Sequence, residues 1–455
     1  MRKWEFFSMR AHYVKIGVLG FVALLDSFGY SLLLNILPSL VDRTDPLHYT
    51  GVEVLSASSA YSLSLFTFVS GATLFPLLLR KLSDMIGPRL LILGALLCLF
   101  FNSLIQSFNH LFWVFAALRF FAGASGCLRP LAIAYIADLI TEETARGWFI
   151  LFLSFFSAIA VGFGPLIGSI MAESDRSYPS RFMAGGCGAC FILALFFVPN
   201  VKHTVKSSAS VALSRREPSR RVSGITVSLL ILGFSTYFMT MMASTAFPLS
   251  FKESFGMSPV IASLYSIIDG PLILLANFFF MHNLTSILSA CKASIIASLI
   301  FCLIALVPVA TDNDSLVLFL MVRYSASLAS PILFSALPQI MINSCPQEVC
   351  GRLTEWLTLL HGSGRMTASV AVGSLFAFDP EIVYNTVAVV GLISSFVFVL
   401  LLKDIQLLTA NKRSNNNLKS PLLLHEPLDG QLSALYSGTP TVEIFPLDPD
   451  GFYSR

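Results

Sequence analysis

The sequence contains few charged residues for its length. Asp, Glu, Lys and Arg make up 12% of the 455 residues, whereas soluble domains carry about 25%. So little charge leaves too little polar surface to cover a soluble globule of this size, and 55% of the residues are hydrophobic. Because a bilayer solvates apolar side chains, the composition predicts an integral membrane protein.

The chain also lacks the motifs of common membrane enzymes and pumps. It has no nucleotide-binding Gly loop, no nucleophile elbow and no His cluster with metal-ligand spacing. Its eight cysteines lie mostly in apolar runs, and Cys187 and Cys190 have no accompanying ligand set. We therefore expect no enzyme, no ATP-driven pump, no cofactor, no metal and no nucleic-acid partner.

Twelve predominantly apolar runs are long enough to cross a bilayer, which takes about 20 residues per helix. The runs are continuous and lack the alternation of barrel strands, so we predict an all-α membrane protein with twelve transmembrane helices. The predicted spans are 16–40, 57–79, 89–107, 111–137, 147–171, 181–200, 224–249, 258–281, 286–309, 315–342, 354–378 and 382–402.

The charges between the spans predict orientation and domain organisation. Most Lys and Arg residues fall on one side if the N-terminus (1–15) is cytoplasmic, which places both termini in the cytoplasm. The longest inter-span segment, 201–223, is basic and separates two six-helix halves, 16–200 and 224–402. The polar residues 403–455 predict a disordered tail. The chain is expected to be a monomer. The sequence does not distinguish the plasma membrane from an acidic-organelle membrane as its location.

The two halves repeat several features. Span 1 ends at Pro38 and span 7 at Pro248, and Arg119 and Arg323 occur early in spans 4 and 10. Many transporters build alternating access around a central site from such repeats. The pattern therefore predicts two pseudo-symmetric halves.

A loop motif lies between spans 2 and 3. Its Asp84, Gly87 and Arg89 resemble the cytoplasmic Gly-x-Leu-Ala-Asp-x-x-Gly-Arg-Arg loop of the major facilitator superfamily, and Asp138 and Arg146 resemble that family's acidic-basic cluster. The resemblance implies a gating loop made of these five residues. In physical terms, Gly87 permits a tight turn, and Asp84 can lie near helix N-termini or Arg146 as a breakable lock.

Motifs inside the spans extend the resemblance to about residues 12–405. Residues 118–123 resemble the family's Arg-x-x-x-Gly motif, and 162–169 are similar to the Gly-Pro-x-x-Gly-Gly motif of the drug–proton antiporter branch. That branch includes tetracycline-type exporters and their animal organic-anion relatives. The loop 281–292 departs from the family's pattern. The resemblance implies the major facilitator fold, a small-molecule substrate and a proton-coupling role for Arg119.

Span 5 contains a predicted helix-packing motif. Gly162, Gly164 and Gly168 lie at close spacing on one helix, and without side chains they let a neighbouring span approach. Pro165 removes a backbone donor and can kink the span.

Six ionisable residues lie inside predicted spans, where a charge costs about 2.5–3.5 kcal/mol on insertion scales. They are Asp26, Arg119, Asp269, Arg323, His361 and Arg365. A rise of about 1.5 Å per residue places Asp26 and Arg119 near the same depth, which predicts a pair between them. The same rise places Arg129 near the cytoplasmic end of span 4, where its side chain should reach water.

These intramembrane charges lead to a functional hypothesis. Three Arg against two Asp make a cavity lined by them net positive, so we expect an organic anion held by Arg323 or Arg365. Asp26 or Asp269 would be the protonatable coupling group, since a carboxylate in low dielectric binds protons more readily. The alternative is that some of these residues form purely structural pairs, such as Asp269 with Arg365. The alternatives for the whole chain are a proton-coupled exporter of cationic or neutral drugs, and a non-transporting scaffold or receptor with a transporter fold.

Overall fold

The structure, a computed structural model, is built from helices. It describes residues 2–45, 47–52, 54–140, 143–199, 220–283, 287–311, 315–344 and 347–419. The helices are α1 (Arg2–Leu34), α2 (Leu37–Val41), α3 (Ala57–Ile86), α4 (Pro88–Phe108), α5 (Phe112–Ser125), α6 (Leu128–Leu139), α7 (Glu143–Ser174), α8 (Tyr178–Phe197), α9 (Arg220–Glu253), α10 (Pro259–Ser266), α11 (Asp269–Asn283), α12 (Ile287–Thr311), α13 (Leu316–Ser344), α14 (Gln347–Phe376) and α15 (Pro380–Lys419).

Three predicted spans are broken helices. Span 1 consists of α1 and α2, separated at 35–36; span 4 of α5 and α6, separated at 126–127; and span 8 of α10 and α11, separated at 267–268. The predicted spans mark none of these breaks. When each broken pair is counted as one span, the helices agree in order and position with the predicted spans.

Eight helices of the described chain are long and apolar enough, by length and composition, to cross a membrane. Those of spans 2 and 11, α3 and α14, are not among them. These two helices pack against each other, and they also pack against α5 and α9 respectively. Helices that are covered by protein on several sides need fewer apolar side chains, because less of their surface meets lipid.

Helix packing joins the two halves along two seams. α3 packs on α14, and α7 packs on both α10 and α11. At the second seam a Cβ atom on Gly270 would lie 2.5 Å from the Ala158 carbonyl oxygen, and one on Gly162 would lie 3.0 Å from the Ile267 carbonyl oxygen. Glycine on both helices therefore lets the two backbones approach closely.

Polar contacts also join the halves at the end of the bundle predicted to face outside. Lys252, near the end of α9, lies 2.8 Å from a carboxylate oxygen of Asp42 and 3.7 Å from one of Asp45. The Tyr61 hydroxyl of α3 donates a hydrogen bond to the Thr245 carbonyl of α9 at 2.8 Å. These contacts hold the two halves together at this end.

The helix ends differ from the predicted segments at both termini. α1 begins at Arg2, inside the predicted segment 1–15, and α15 continues to Lys419, beyond the predicted boundary at 402. Most of the predicted linker 201–223, up to residue 219, and the tail beyond residue 419 lie outside the described residues.

Candidate substrate site

A cavity of about 430 Å³ lies between the two halves. Its walls come from α1, α6 and α7 in the first half and from α9, α11, α13 and α14 in the second. Its charged lining residues are Arg129, Asp269, Arg323 and Arg365. Small-molecule sites typically measure about 300–1,000 Å³, so the cavity is large enough for a small organic solute.

Asp269 and Arg323 form a buried ion pair inside this cavity. Oδ2 of Asp269 lies 2.9 Å from Nε and 2.5 Å from Nη2 of Arg323. The Ser327 hydroxyl donates to Oδ1 of Asp269 at 2.8 Å, and Nη2 of Arg323 donates to Ser266 Oγ at 2.7 Å. Asp269 is also the first residue of α11, where the helix N-terminus stabilises a carboxylate. The partner of Asp269 is thus Arg323 and not Arg365.

Arg365 reaches the cavity from α14, and the described residues place no carboxylate within 4.0 Å of it. A stack of three rings lies beside it. The Tyr237 ring lies between the Phe334 ring, with centroids 3.9 Å apart, and the His361 ring, with centroids 4.1 Å apart. Nε2 of His361 is buried and has no hydrogen-bond partner among the described residues. The second half therefore combines an unpaired guanidinium with a flat aromatic wall.

Arg129 lines the central cavity. Its Nη2 donates a hydrogen bond to Ser154 Oγ of α7 at 3.0 Å. Span 4 breaks at 126–127, and α6 starts at Leu128, directly before Arg129. That its side chain also reaches cytoplasmic water stays a prediction.

The predicted pair of Asp26 with Arg119 does not form. Oδ1 of Asp26 instead accepts a hydrogen bond from the Leu128 N–H at 3.3 Å. Arg119 is 1% exposed, its Nη1 donates to the Gly29 carbonyl at 3.2 Å, and its guanidinium carbon lies 4.4 Å from the centre of the Phe68 ring. Similar depth along the membrane normal did not bring the two groups together, because they face different neighbours.

Arg119 lines a second and much smaller cavity within the first half. This cavity measures about 20 Å³ and is also lined by Asn102 and Gln106. Of the six predicted residues, Asp269, Arg323 and Arg365 line the central cavity, and His361 stacks against its wall. Asp26 and Arg119 lie apart from it.

The predicted gating loop is described only in part. Gly87 adopts φ of 84°, a conformation that L side chains rarely adopt, and it precedes α4. Nη2 of Arg89 donates to the Leu195 carbonyl at 3.0 Å, which ties the start of α4 to the end of α8. Outside the side chains that the structure describes lie Asp84, Asp138 and Arg146.

The predicted packing motif lies in α7 and faces two different neighbours. Gly162 faces α11, whereas Cβ atoms at Gly164 and Gly168 would overlap atoms of α1. Helix α7 continues through Pro165. The motif therefore holds α7 against a helix of its own half and against one of the other half.

Sequence comparison supports the resemblance over the first half. The Major Facilitator Superfamily domain matches residues 19–226. The "Tetracycline resistance protein, class H" of Pasteurella multocida is 25% identical over 223 residues, which cover 48% of this chain and 52% of that protein. The chain spans about half the length of the curated relatives it matches.

Structural comparison extends the likeness to both halves. The human organic anion transporter MFSD10 (TETRAN) superposes with a TM-score of 0.61 at 16% identity, covering 85% of this chain and 99% of that one. A D-xylose-proton symporter superposes with a TM-score of 0.69 at 14% identity, covering 85% and 97%. At these identities the likeness concerns the fold alone. The chain is thus an all-α membrane protein with the major facilitator fold, and its residues 19–226 match the Major Facilitator Superfamily domain.

Proposed function

We propose that this chain is a secondary active transporter, which moves a small organic anion by alternating access in exchange with, or together with, protons. The charge balance of the central cavity carries the proposal. Arg129, Arg323 and Arg365 face a single carboxylate in its lining, and that carboxylate, Asp269, is bound by Arg323. Two guanidinium groups therefore remain available to an anion.

The rest of the cavity suits an organic body attached to that anionic group. Apolar side chains such as Leu34, Val161 and Met241 line it, and the Tyr237 ring adds a flat surface. Ligand pockets commonly combine such apolar walls with a few polar groups that orient the ligand. The similarity in fold to the human organic anion transporter MFSD10 supports the same substrate class.

Proton coupling and the membrane setting are part of the same proposal. A charge inside a bilayer costs about 2.5–3.5 kcal/mol on insertion scales, so Asp26 and the two free arginines are costly unless they meet water, a proton or a substrate. Asp269 is already engaged by Arg323, which leaves Asp26 as the carboxylate for proton exchange. We further propose cytoplasmic termini and a monomer that works alone in the bilayer.

The test is uptake of labelled aromatic carboxylates into proteoliposomes under an imposed pH gradient. We expect uptake that follows the gradient and falls at least tenfold in Arg365→Ala, because the loss of one charged hydrogen bond costs about 1.5–3 kcal/mol. Arg181→Ala serves as the matched control. It removes an exposed arginine near the start of α8, which pairs with Asp175 and is not part of the cavity lining. Flux without any response to the gradient contradicts coupling, and unchanged uptake in Arg365→Ala contradicts the anion site.

Export of cationic or neutral drugs is the second candidate function. The similarity of the first half to the Pasteurella multocida tetracycline resistance protein favours it. The same vesicles loaded with labelled cationic drugs separate the two functions. Cation flux that survives Arg365→Ala and stops in Asp269→Asn would favour this candidate over the anion transporter. No flux of any solute would favour a scaffold with a transporter fold.

A further inference from the structure

The small cavity beside Arg119 lies within the first half, between α1, α4, α5 and α8. It measures about 20 Å³, and its polar lining includes Arg119, Asn102, Gln106 and Ser180, each at most 6% exposed. One water molecule needs about 10–15 Å³. The cavity therefore has room for one water molecule or one monatomic ion, but it is too small for an organic solute.

The protein leaves several polar atoms of this cavity unsatisfied. Nine buried side-chain nitrogen and oxygen atoms of the described residues lack a hydrogen-bond partner, and three of them belong to this lining: Nε of Arg119, Nε2 of Gln106 and Oδ1 of Asn102. Most buried polar atoms in proteins do have a partner. Three exceptions in so small a space point to a bound species that the three side chains share.

The guanidinium of Arg119 adds a positive charge that its surroundings do not balance. The described residues place no carboxylate within 4.0 Å of it. The ionisable groups that act on it are the phenols of Tyr30, Tyr49 and Tyr61, which are uncharged at neutral pH. Arginine stays protonated, and a buried charge is costly unless an opposite charge pairs with it. A water molecule supplies hydrogen bonds but no opposite charge, so the lining favours an anion.

The side chains of the cavity can supply hydrogen bonds to that anion. The Arg119 guanidinium lies against the Phe68 ring and donates through Nη1 to the Gly29 carbonyl, which leaves its Nε for a ligand. Nε2 of Gln106 is a second donor. A half-turn of the Asn102 amide exchanges Oδ1 with Nδ2 and makes it a third. No Asp or Glu belongs to the described lining, so nothing there repels an anion.

We propose that Arg119, Gln106 and Asn102 bind a chloride ion inside the first half. A monatomic anion fits the volume, and chloride is the abundant one in biological fluids. The ion neutralises the buried guanidinium and joins α5, which carries Arg119, to α4, which carries the two amides. Unlike a carboxylate of the chain, it leaves when Arg119 is replaced and strands no negative charge. The site is separate from the central cavity and does not depend on which solute is transported.

Thermal unfolding of the purified full-length protein, titrated with sodium chloride, tests the site. Sodium gluconate replaces chloride at constant ionic strength, so that screening by salt is the same in every sample. A ligand that binds only the folded state stabilises it increasingly as its concentration exceeds the Kd. We expect the unfolding temperature to rise as chloride or bromide replaces gluconate, because gluconate is too large for the cavity.

Two variants and one control assign the effect to the cavity. Arg119→Gln removes the charge and should abolish the halide response. Gln106→Leu removes one donor and keeps Arg119, so it tests the site even if Arg119→Gln does not fold. It should raise the chloride concentration at half-effect at least tenfold, as expected for the loss of one hydrogen bond to a charged group. Arg181→Gln removes an exposed arginine and should respond as the wild type does.

Three results would overturn the chloride site. The first is an unfolding temperature that does not change when chloride replaces gluconate, which would leave only water in the cavity. The second is a wild-type halide response in both Arg119→Gln and Gln106→Leu. The third is a response that is lost in Arg365→Ala and kept in Arg119→Gln, which would assign the ion to the central cavity. In crystals grown with bromide, an anomalous peak beside Arg119 supports the site, and peaks only elsewhere contradict it.

Discussion

Arg119 and Arg323 occupy comparable places in the two halves, early in spans 4 and 10, and both are almost fully buried. Arg323 is 5% exposed and is bound by the Asp269 carboxylate. Arg119 is 1% exposed, yet its described contacts are the Gly29 carbonyl and the Phe68 ring. The same residue type is therefore half of an ion pair in one half and an isolated buried charge in the other.

This difference teaches that the charge of a membrane cavity cannot be read from a count of its arginines. An ion pair with satisfied hydrogen bonds is nearly neutral to its surroundings, whereas an isolated guanidinium keeps its field and its cost of desolvation. In the central cavity the proposed function therefore assigns the substrate to Arg129 and Arg365, whereas Arg323 is bound by Asp269. Substitutions at Arg323 and Arg119 should therefore differ in their cost to stability.

The largest effect is expected when the buried ion pair is broken. Arg323→Met leaves Asp269 ionised and without its main partner, which should destabilise the protein by about 3–5 kcal/mol. Thermal unfolding in detergent measures the loss. The double variant Arg323→Met, Asp269→Leu removes both charges and should recover most of the stability. If the double variant is as unstable as Arg323→Met, the loss of stability comes from packing and not from the unpaired Asp269 charge.

The matched change at the isolated arginine should cost much less. Arg119→Met removes one charged hydrogen bond and one cation–π contact, but it also removes the cost of burying a charge and leaves no carboxylate stranded. These terms oppose each other, so we expect a net loss below about 1.5 kcal/mol. The same unfolding assay compares the two variants directly. A loss equal to that of Arg323→Met would reveal a negative partner of Arg119 and contradict the contrast between the two halves.

A finer comparison uses the rings beneath the two guanidinium groups. The Phe68 ring centre lies 4.4 Å from the Arg119 guanidinium carbon, and the Phe247 ring centre lies 5.2 Å from that of Arg323. A desolvated cation–π contact contributes about 2 kcal/mol to stability. Arg323 is also held by the Asp269 carboxylate and so depends less on its ring than Arg119 does. Phe68→Leu should therefore cost about 1 kcal/mol more than Phe247→Leu. Equal costs in the unfolding assay would assign both effects to packing alone.

The smallest effect is expected for the ion pair at the water-exposed end. Lys252→Gln should cost only about 0.2–1 kcal/mol, because exposed pairs form in high dielectric. Partial burial acts to raise the pKa of Asp42, but hydrogen bonds from Lys252 and Thr44 outweigh it and hold the pKa at about 2. Since an unfolded Asp titrates near a pKa of about 3.9, the pair stabilises the fold above that pH and loses its effect as the pH falls towards 2.

Unfolding curves of wild type and Lys252→Gln, recorded from pH 7 down to pH 3, check this last point. The difference between the two should be constant from pH 7 to pH 5 and shrink below pH 4. A difference that shrinks already between pH 7 and pH 5 would contradict the low pKa of Asp42 and point to a different titrating group.

Most of the fold was predictable from the sequence because run length and hydropathy decide where a helix can cross a bilayer. The breaks were not, because glycine and proline are common inside membrane spans and do not mark a break by themselves. Gly270 and Pro271 follow 267–268, and Pro271 lacks the N–H that would bond the Ile267 carbonyl in a continuous helix. The break at 126–127 carries Gly126, but the surrounding apolar run concealed it.

The sequence identified charged residues of the candidate site from the free-energy cost of a charge inside a bilayer, but it did not predict which of them contact each other. Asp269, Arg323 and Arg365 do line one cavity. Depth along a helix is readable from residue number, whereas the direction in which a side chain points depends on helix rotation. For that reason the sequence offered Arg365 as a partner of Asp269, whereas the structure pairs Asp269 with Arg323.

The glycine contact between α7 and α11 has a mechanical consequence. Gly162 and Gly270 let the backbones of the two helices approach closely. Helices in such close contact can change their crossing angle while keeping their spacing. A methyl group at position 270 would collide with the Ala158 carbonyl oxygen and alter the crossing angle on which the proposed alternating access depends.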